Sequence, residues 1–186
     1  MSRFIDRGAR TAAMVGLGMA VTIGVSFLLV IPIEPVYWYL SLPAGLLIGY
    51  YANARSERAG GPWRRVLLNA LYAGLITGIT YAVLFLGVKA LFFNLDAGYR
   101  DASMGGPISC TTGADCVYQR YFASPQGPEL ASHGVVDAAS FSAFYWSQQL
   151  STAGMTFVLS VGGAVAGGLM FGVTNRRKPE TAAVAA

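Results

Sequence analysis

The sequence predicts an all-α integral membrane protein, with four transmembrane helices arranged as two hairpins and a disulfide-clipped extracytoplasmic loop between the third and fourth. Three observations carry this. Of 186 residues, 54% are hydrophobic and only 12% charged, about half the roughly 25% charged share of an ordinary soluble domain. The apolar residues are grouped into four stretches of the length a helix needs to cross a hydrocarbon layer, about 20 residues. Apart from scattered Ser and Thr and a single Asn69, those stretches are apolar all round, so they lack the polar face of a water-soluble bundle.

The first span is Ala12–Ile33. It is longer than the apolar region of a secretory signal and runs into Pro32 and Glu34 without a small-x-small cleavage site, so it reads as a retained helix. Pro32 and Pro35 deny a helix two amide donors and force a reversal, after which Val36–Ala52 returns as the second span. Val66–Phe93 is the third. Its one charge, Lys89, lies about 35 Å along the helix from Val66 at 1.5 Å per residue, at the far interface. Leu150–Val173 is the fourth, and together these make one transmembrane domain over residues 1–186.

Charge sets the expected orientation, because Lys and Arg flanking a span are retained on the cytoplasmic side. Arg3, Arg7, Arg10, Arg55, Arg58, Arg64, Arg65, Arg176, Arg177 and Lys178 fall on one side, ten of the thirteen basic residues, giving that side a net +7 against −3 on the other. Both termini are therefore expected in the cytoplasm. Aromatic residues at Tyr37–Tyr39, Tyr50, Tyr51, Trp63 and Phe141–Trp146 fall at the same two levels, as interfacial belts do. Arginine outnumbers lysine eleven to two in an Ala- and Gly-rich chain, a bias frequent in GC-rich bacterial genomes, so a bacterial inner membrane is the expected location. The lipid bilayer is its first partner. Arginines spread over three short segments suit anionic headgroups better than nucleic acid.

Asn94–Gln149 is the only segment large enough to build anything outside the bilayer. Cys110 and Cys116 both lie in it, on the side that charge alone assigns to the oxidising compartment, and a disulfide closing the short Thr111–Asp115 turn is expected. Cys-x5-Cys lacks the Cys-x-x-Cys spacing of a redox motif, and two thiols with one histidine cannot fill a zinc shell. Frequent Gly and Pro leave room for one short element over Val117–Phe122. From Asp137, a helix cap, Phe141, Phe144, Tyr145 and Gln148 recur on one face, predicting an amphipathic helix over 138–148, interfacial or an extension of the fourth span. Ser132, His133 and Asp137 are too close in sequence for a hydrolase triad. No nucleotide, metalloprotease or hydrolase motif occurs, so no catalytic residue, metal or cofactor is expected.

Small residues four apart mark close helix packing in lipid. Ala70, Gly74 and Gly78 mark the third span, Gly163 with Gly167 and Gly168 with Gly172 the fourth, and Gly45 with Gly49 the second. The double register on the fourth leaves a second small face for a partner, either another copy or a different membrane protein. Arg7–Val30 and Arg65–Val88 share nine identities in 24 positions, the pattern of a parallel two-helix duplication. No ionisable residue lies mid-span, which argues against proton-coupled transport. Glu34 and Lys89 lie at one level and are expected to pair, while Thr22, Asn69, Thr77 and Thr80 are expected to hydrogen-bond between helices. The function read from this is a non-catalytic accessory, assembly or scaffold component. Alternatives are an oligomeric channel or carrier for an uncharged solute, or an outer-face thiol redox or sensing protein.

Overall fold

The computed structural model describes residues 5–29, 34–56, 61–95, 110–125 and 127–175, with the side chains of 26–29 and 34–37 outside that set. All regular structure among them is helical: α1 (Arg7–Leu29), α2 (Glu34–Ala54), α3 (Trp63–Leu95), α4 (Ala114–Ala123), α5 (Gly127–Ser132) and α6 (Ala138–Thr174). Three carry stretches long and apolar enough to cross a membrane, Arg7–Val25, Trp63–Leu95 and Ala138–Thr174. Pro32 and Ile33, the side chains of Glu34 and Pro35, and Arg3, Arg58, Arg176, Arg177 and Lys178 lie outside the described residues.

The helices overrun the expected spans. α6 is a continuous helix of 37 residues, about 55 Å at 1.5 Å per residue, far more than the roughly 30 Å of a hydrocarbon core. Residues 138–148 are therefore its first three turns and not a separate interfacial helix. The start is set by Asp137, whose Oδ1 accepts the Ser140 amide at 2.7 Å, while Ser140 Oγ accepts the amides of Val136 and Asp137 at 3.1 Å each. This reciprocal cap satisfies donors that a helix N-terminus leaves open.

The chain divides into two compact units, Met1–Leu84 with Gly154–Ala186, and Phe85–Ala153. In the first, α1 and α2 pack through alanines: Ala9, Ala12 and Ala52, with Ile48 and Ala73, form a buried cluster. The glycines show which helices touch. A Cβ at Gly8 would meet the Arg55–Ser56 backbone just past the end of α2, at Gly16 the Thr77 side chain, and at Gly24 the Leu84 side chain. Those at Gly45 and Gly49 would meet the Ser160 and Ala164 carbonyls, those at Gly163 and Gly167 the Leu42 and Leu46 carbonyls. α2 and α6 thus run parallel, each placing glycines on the other's backbone. Gly74 meets Ala164, Gly78 meets Phe157, Gly168 meets Ala70 and Gly172 meets Trp63, which joins α3 to α6. The order around the bundle is α1, α2, α6, α3. A duplicated hairpin related by an axis along the bundle would set α1 diagonal to α3. They lie along one edge, so the packing does not carry the repeat suggested by the sequence.

The second unit is built on Phe93, Val117, Leu130, Val135, Phe141 and Tyr145, with Tyr118, Tyr121, Phe144 and Trp146 against them. Phe141 and Tyr145 are only 1% and 8% exposed. They are core residues of this unit and not interfacial anchors.

Candidate functional site

Three constellations carry polar chemistry. The first lies inside the helical unit. One turn above the crossing of Gly45, Gly78 and Ser160, helical spacing places Ser41 on α2, Tyr81 on α3 and Thr156 on α6 in a common layer, all facing inward and buried. The Tyr81 hydroxyl lies beside that of Ser41. Thr156 Oγ1 and Ser160 Oγ are fully buried and make no hydrogen bond among the described residues. Their neighbours behave differently. Thr77 donates to the Ala73 carbonyl at 2.9 Å, Thr80 to Ile76 at 2.8 Å and Thr22 to Gly18 at 2.9 Å. All three make the preceding-turn bond open to any helical Thr, and for Thr77 and Thr80 no interhelical bond stands beside it among the described residues.

The second is a polar knot at the end of the bundle where α2 meets α3. Asn53 Nδ2 donates to the Gly49 carbonyl at 3.0 Å and across to the Val66 carbonyl of α3 at 3.1 Å. Asn69 Oδ1 accepts the Asp6 amide at 3.5 Å, Ser56 Oγ donates to Asp6 Oδ2, and Asp6 Oδ1 takes the Arg7 amide at 2.7 Å. Asn53 and Asn69 are 1% exposed. Asp6 thus caps α1 and ties the chain before it to two other helices, which is structural work. Asn69 alone was visible as a polar span residue. The spacing that marks Asn53 is its position one turn beyond Gly49, whose carbonyl its amide reaches.

The third is the second unit. Cys110 and Cys116 form the expected disulfide, with Cα atoms 5.0 Å apart, and Cys116 is buried. The bond anchors the chain entering α4. Asp115 reinforces the turn: its carboxylate accepts the Thr111 amide at 2.7 Å and the Gln119 side-chain amide at 2.9 Å, and these bonds hold its pKa below the usual carboxylate value. The Ser140 hydroxyl and amide depress Asp137 in the same way. Ser132 donates to the Glu129 carbonyl, the His133 ring packs on Phe144 with centroids 5.2 Å apart, and Asp137 caps α6. Each of the three side chains has its own local partner, which is not the arrangement of a catalytic triad. Lys89 sits over the Phe85 ring at 5.5 Å. Among the described residues, no three His, Cys, Asp or Glu side chains converge on a point where a metal could sit.

Closing a loop of six residues' separation removes unfolded-state entropy worth about 2 kcal/mol by the chain-entropy relation. Reduction, or the Cys110→Ser/Cys116→Ser pair, is expected to raise amide hydrogen exchange in α4 by on the order of tenfold or more, with α1 and α2 unchanged. Equal protection of α4 in both forms would show that the bond does not hold this unit.

All nine small residues singled out by spacing fall on internal contacts of the first unit. Gly168 and Gly172 are consumed by Ala70 and Trp63, so the second small face proposed for a partner is already occupied. A different pair is open. At Gly154 and Gly162 nothing lies within 4 Å of where a Cβ would stand, and Met155 and Val158 beside them are exposed. The chain matches no protein-family model, no curated protein and no solved structure.

Proposed function

We propose that the chain is a four-span, non-catalytic protein of a bacterial inner membrane, with both termini cytoplasmic, acting as an accessory, assembly or scaffold component that associates in the plane of the bilayer. α2 would be the fourth span: its 21 residues carry a single charge, Glu34, at their first position. Arg7, Arg10, Arg55, Arg64 and Arg65 lie at the ends of α1, α2 and α3 within the first unit, in line with the orientation read from charge. The second unit would then stand in the oxidising compartment, where its disulfide persists.

The observation that carries association is the exposed face of α6. Gly154 and Gly162 are two turns apart with Val158 between them, and all three are exposed. Bare glycine backbone facing lipid contributes neither side-chain packing nor helix propensity, and it is the feature that lets a second helix approach closely. Purification in lipid discs followed by native mass measurement tests this. The expected result is a stoichiometric complex that is lost in the Gly154→Leu/Gly162→Leu variant, while the variant keeps its own fold. A foreign subunit in that complex means an accessory role. A complex of identical copies moves the reading toward a shared pore. A chain that stays alone in lipid at every loading sinks the proposal.

A further inference from the structure

The hydroxyl layer in the first unit holds two groups that find no partner among the described residues. Thr156 and Ser160 are 0% and 1% exposed, and neither hydroxyl is hydrogen-bonded among the described residues. A buried hydroxyl without a partner costs about 1–3 kcal/mol on the scale of protein mutational data. Both side chains had a local remedy, the bond to the preceding turn that Thr77, Thr80 and Thr174 make in the same bundle. They do not use it. They stand four residues apart on one face of α6, hence about 6 Å apart along the helix at 1.5 Å per residue, within reach of one shared water when their rotamers turn the two oxygens toward each other.

The neighbouring helices come close to this turn: Gly45 lets the α2 backbone lie against the Ser160 carbonyl, and the Ser160 Cβ is 3.4 Å from where a Gly78 Cβ would stand on α3. One turn away, Ser41 and Tyr81 bring two further buried hydroxyls into the layer. An internal water needs two to four polar partners, and this layer supplies them without a formal charge.

We propose that Thr156 and Ser160 bind one ordered water molecule between α2, α3 and α6, bridging the two hydroxyls on α6. The site takes a neutral molecule of water's size that can both donate and accept. It would satisfy the two buried hydroxyls of α6 without a formal charge, one turn from the Ser41 and Tyr81 hydroxyls that meet between α2 and α3.

The test is water-edited solid-state NMR on the full chain in lipid bilayers, with Ser and Thr carbons labelled and magnetisation started on water. Thr156 and Ser160 are expected to gain intensity as early as the exposed Ser147 and Thr174, although they are buried. If they stay dark while Ser147 and Thr174 rise, the water is not there. Thr156→Val keeps the shape and removes one partner, so the Ser160 signal should fall severalfold, and Thr156→Ser should preserve it. An unchanged Ser160 signal in a folded Thr156→Val protein overturns the shared site, as does its loss in Thr156→Ser. Neither readout depends on whether the chain associates with a partner.

Discussion

Replacing Gly49 and Gly167 together with leucine is expected to destabilise the helical unit by about 2–6 kcal/mol, twice the roughly 1–3 kcal/mol that overpacking costs at one site. That is a large part of a typical folding free energy, about 5–15 kcal/mol. The reason is what the new atoms meet. A Cβ at Gly49 lands on the Ala164 carbonyl, and one at Gly167 lands on the Leu46 carbonyl and 2.8 Å from the Tyr50 amide nitrogen. These are backbone atoms of regular helices and cannot rotate aside, so α2 and α6 must separate along their whole crossing. Leucine at Gly154 and Gly162 is the matched control: the residue and helix are the same, but nothing lies within 4 Å. Thermal or detergent-denaturation midpoints in micelles should fall steeply for the first pair and hold for the second. A wild-type midpoint for Gly49→Leu/Gly167→Leu would mean that α2 and α6 do not cross there.

The contrast between those pairs also marks how far the sequence could be read. Apolar length and the absence of mid-span charge are properties of segments, so helical elements of membrane-crossing length were legible from composition. The glycine registers were legible as small faces. Which face was internal was not, because Gly154 and Gly163 look alike until a neighbouring helix is placed against one of them. α6 illustrates a second limit. Asp137 signalled where the helix begins, but periodicity alone cannot say whether the eleven residues after it lie on a membrane or continue the span. The disulfide was legible because short spacing and local turn residues fix it. The hydroxyl layer was not, since Ser41, Tyr81, Thr156 and Ser160 come from three helices and nothing in their spacing relates them. Asn53 was missed because it stands at a helix end, where a polar residue calls for no explanation until the Val66 carbonyl is brought to it.

Phe141→Ala is expected to cost about 3–5 kcal/mol, the usual loss for truncating a buried phenylalanine, and to spend it in the second unit. Phe141 is 1% exposed, and its ring lies 5.7 Å from Tyr118, 5.4 Å from Tyr121 and 5.9 Å from Tyr145, centroid to centroid. It therefore joins the face of α4 that carries Tyr118 and Tyr121, three residues apart, to the first turns of α6. α4 depends on such tertiary contacts: it is ten residues long, too short to be stable alone in water, where isolated helices need about 12–15 residues. Without the ring, α4 keeps the disulfide at its start but loses the surface that orients it. Hydrogen exchange should rise across α4 and α5 while Thr77, Ala164 and the rest of the helical crossing stay protected. Phe141→Leu, which fills most of the same volume, should cost less than about 1.5 kcal/mol. The placement of the loss decides what kind of molecule this is. Exchange confined to residues 85–153 means that the aromatic unit folds on its own contacts. Equal exposure of α1 and α2 in Phe141→Ala would mean that the two units unfold as one, and that the division between them is only geometric.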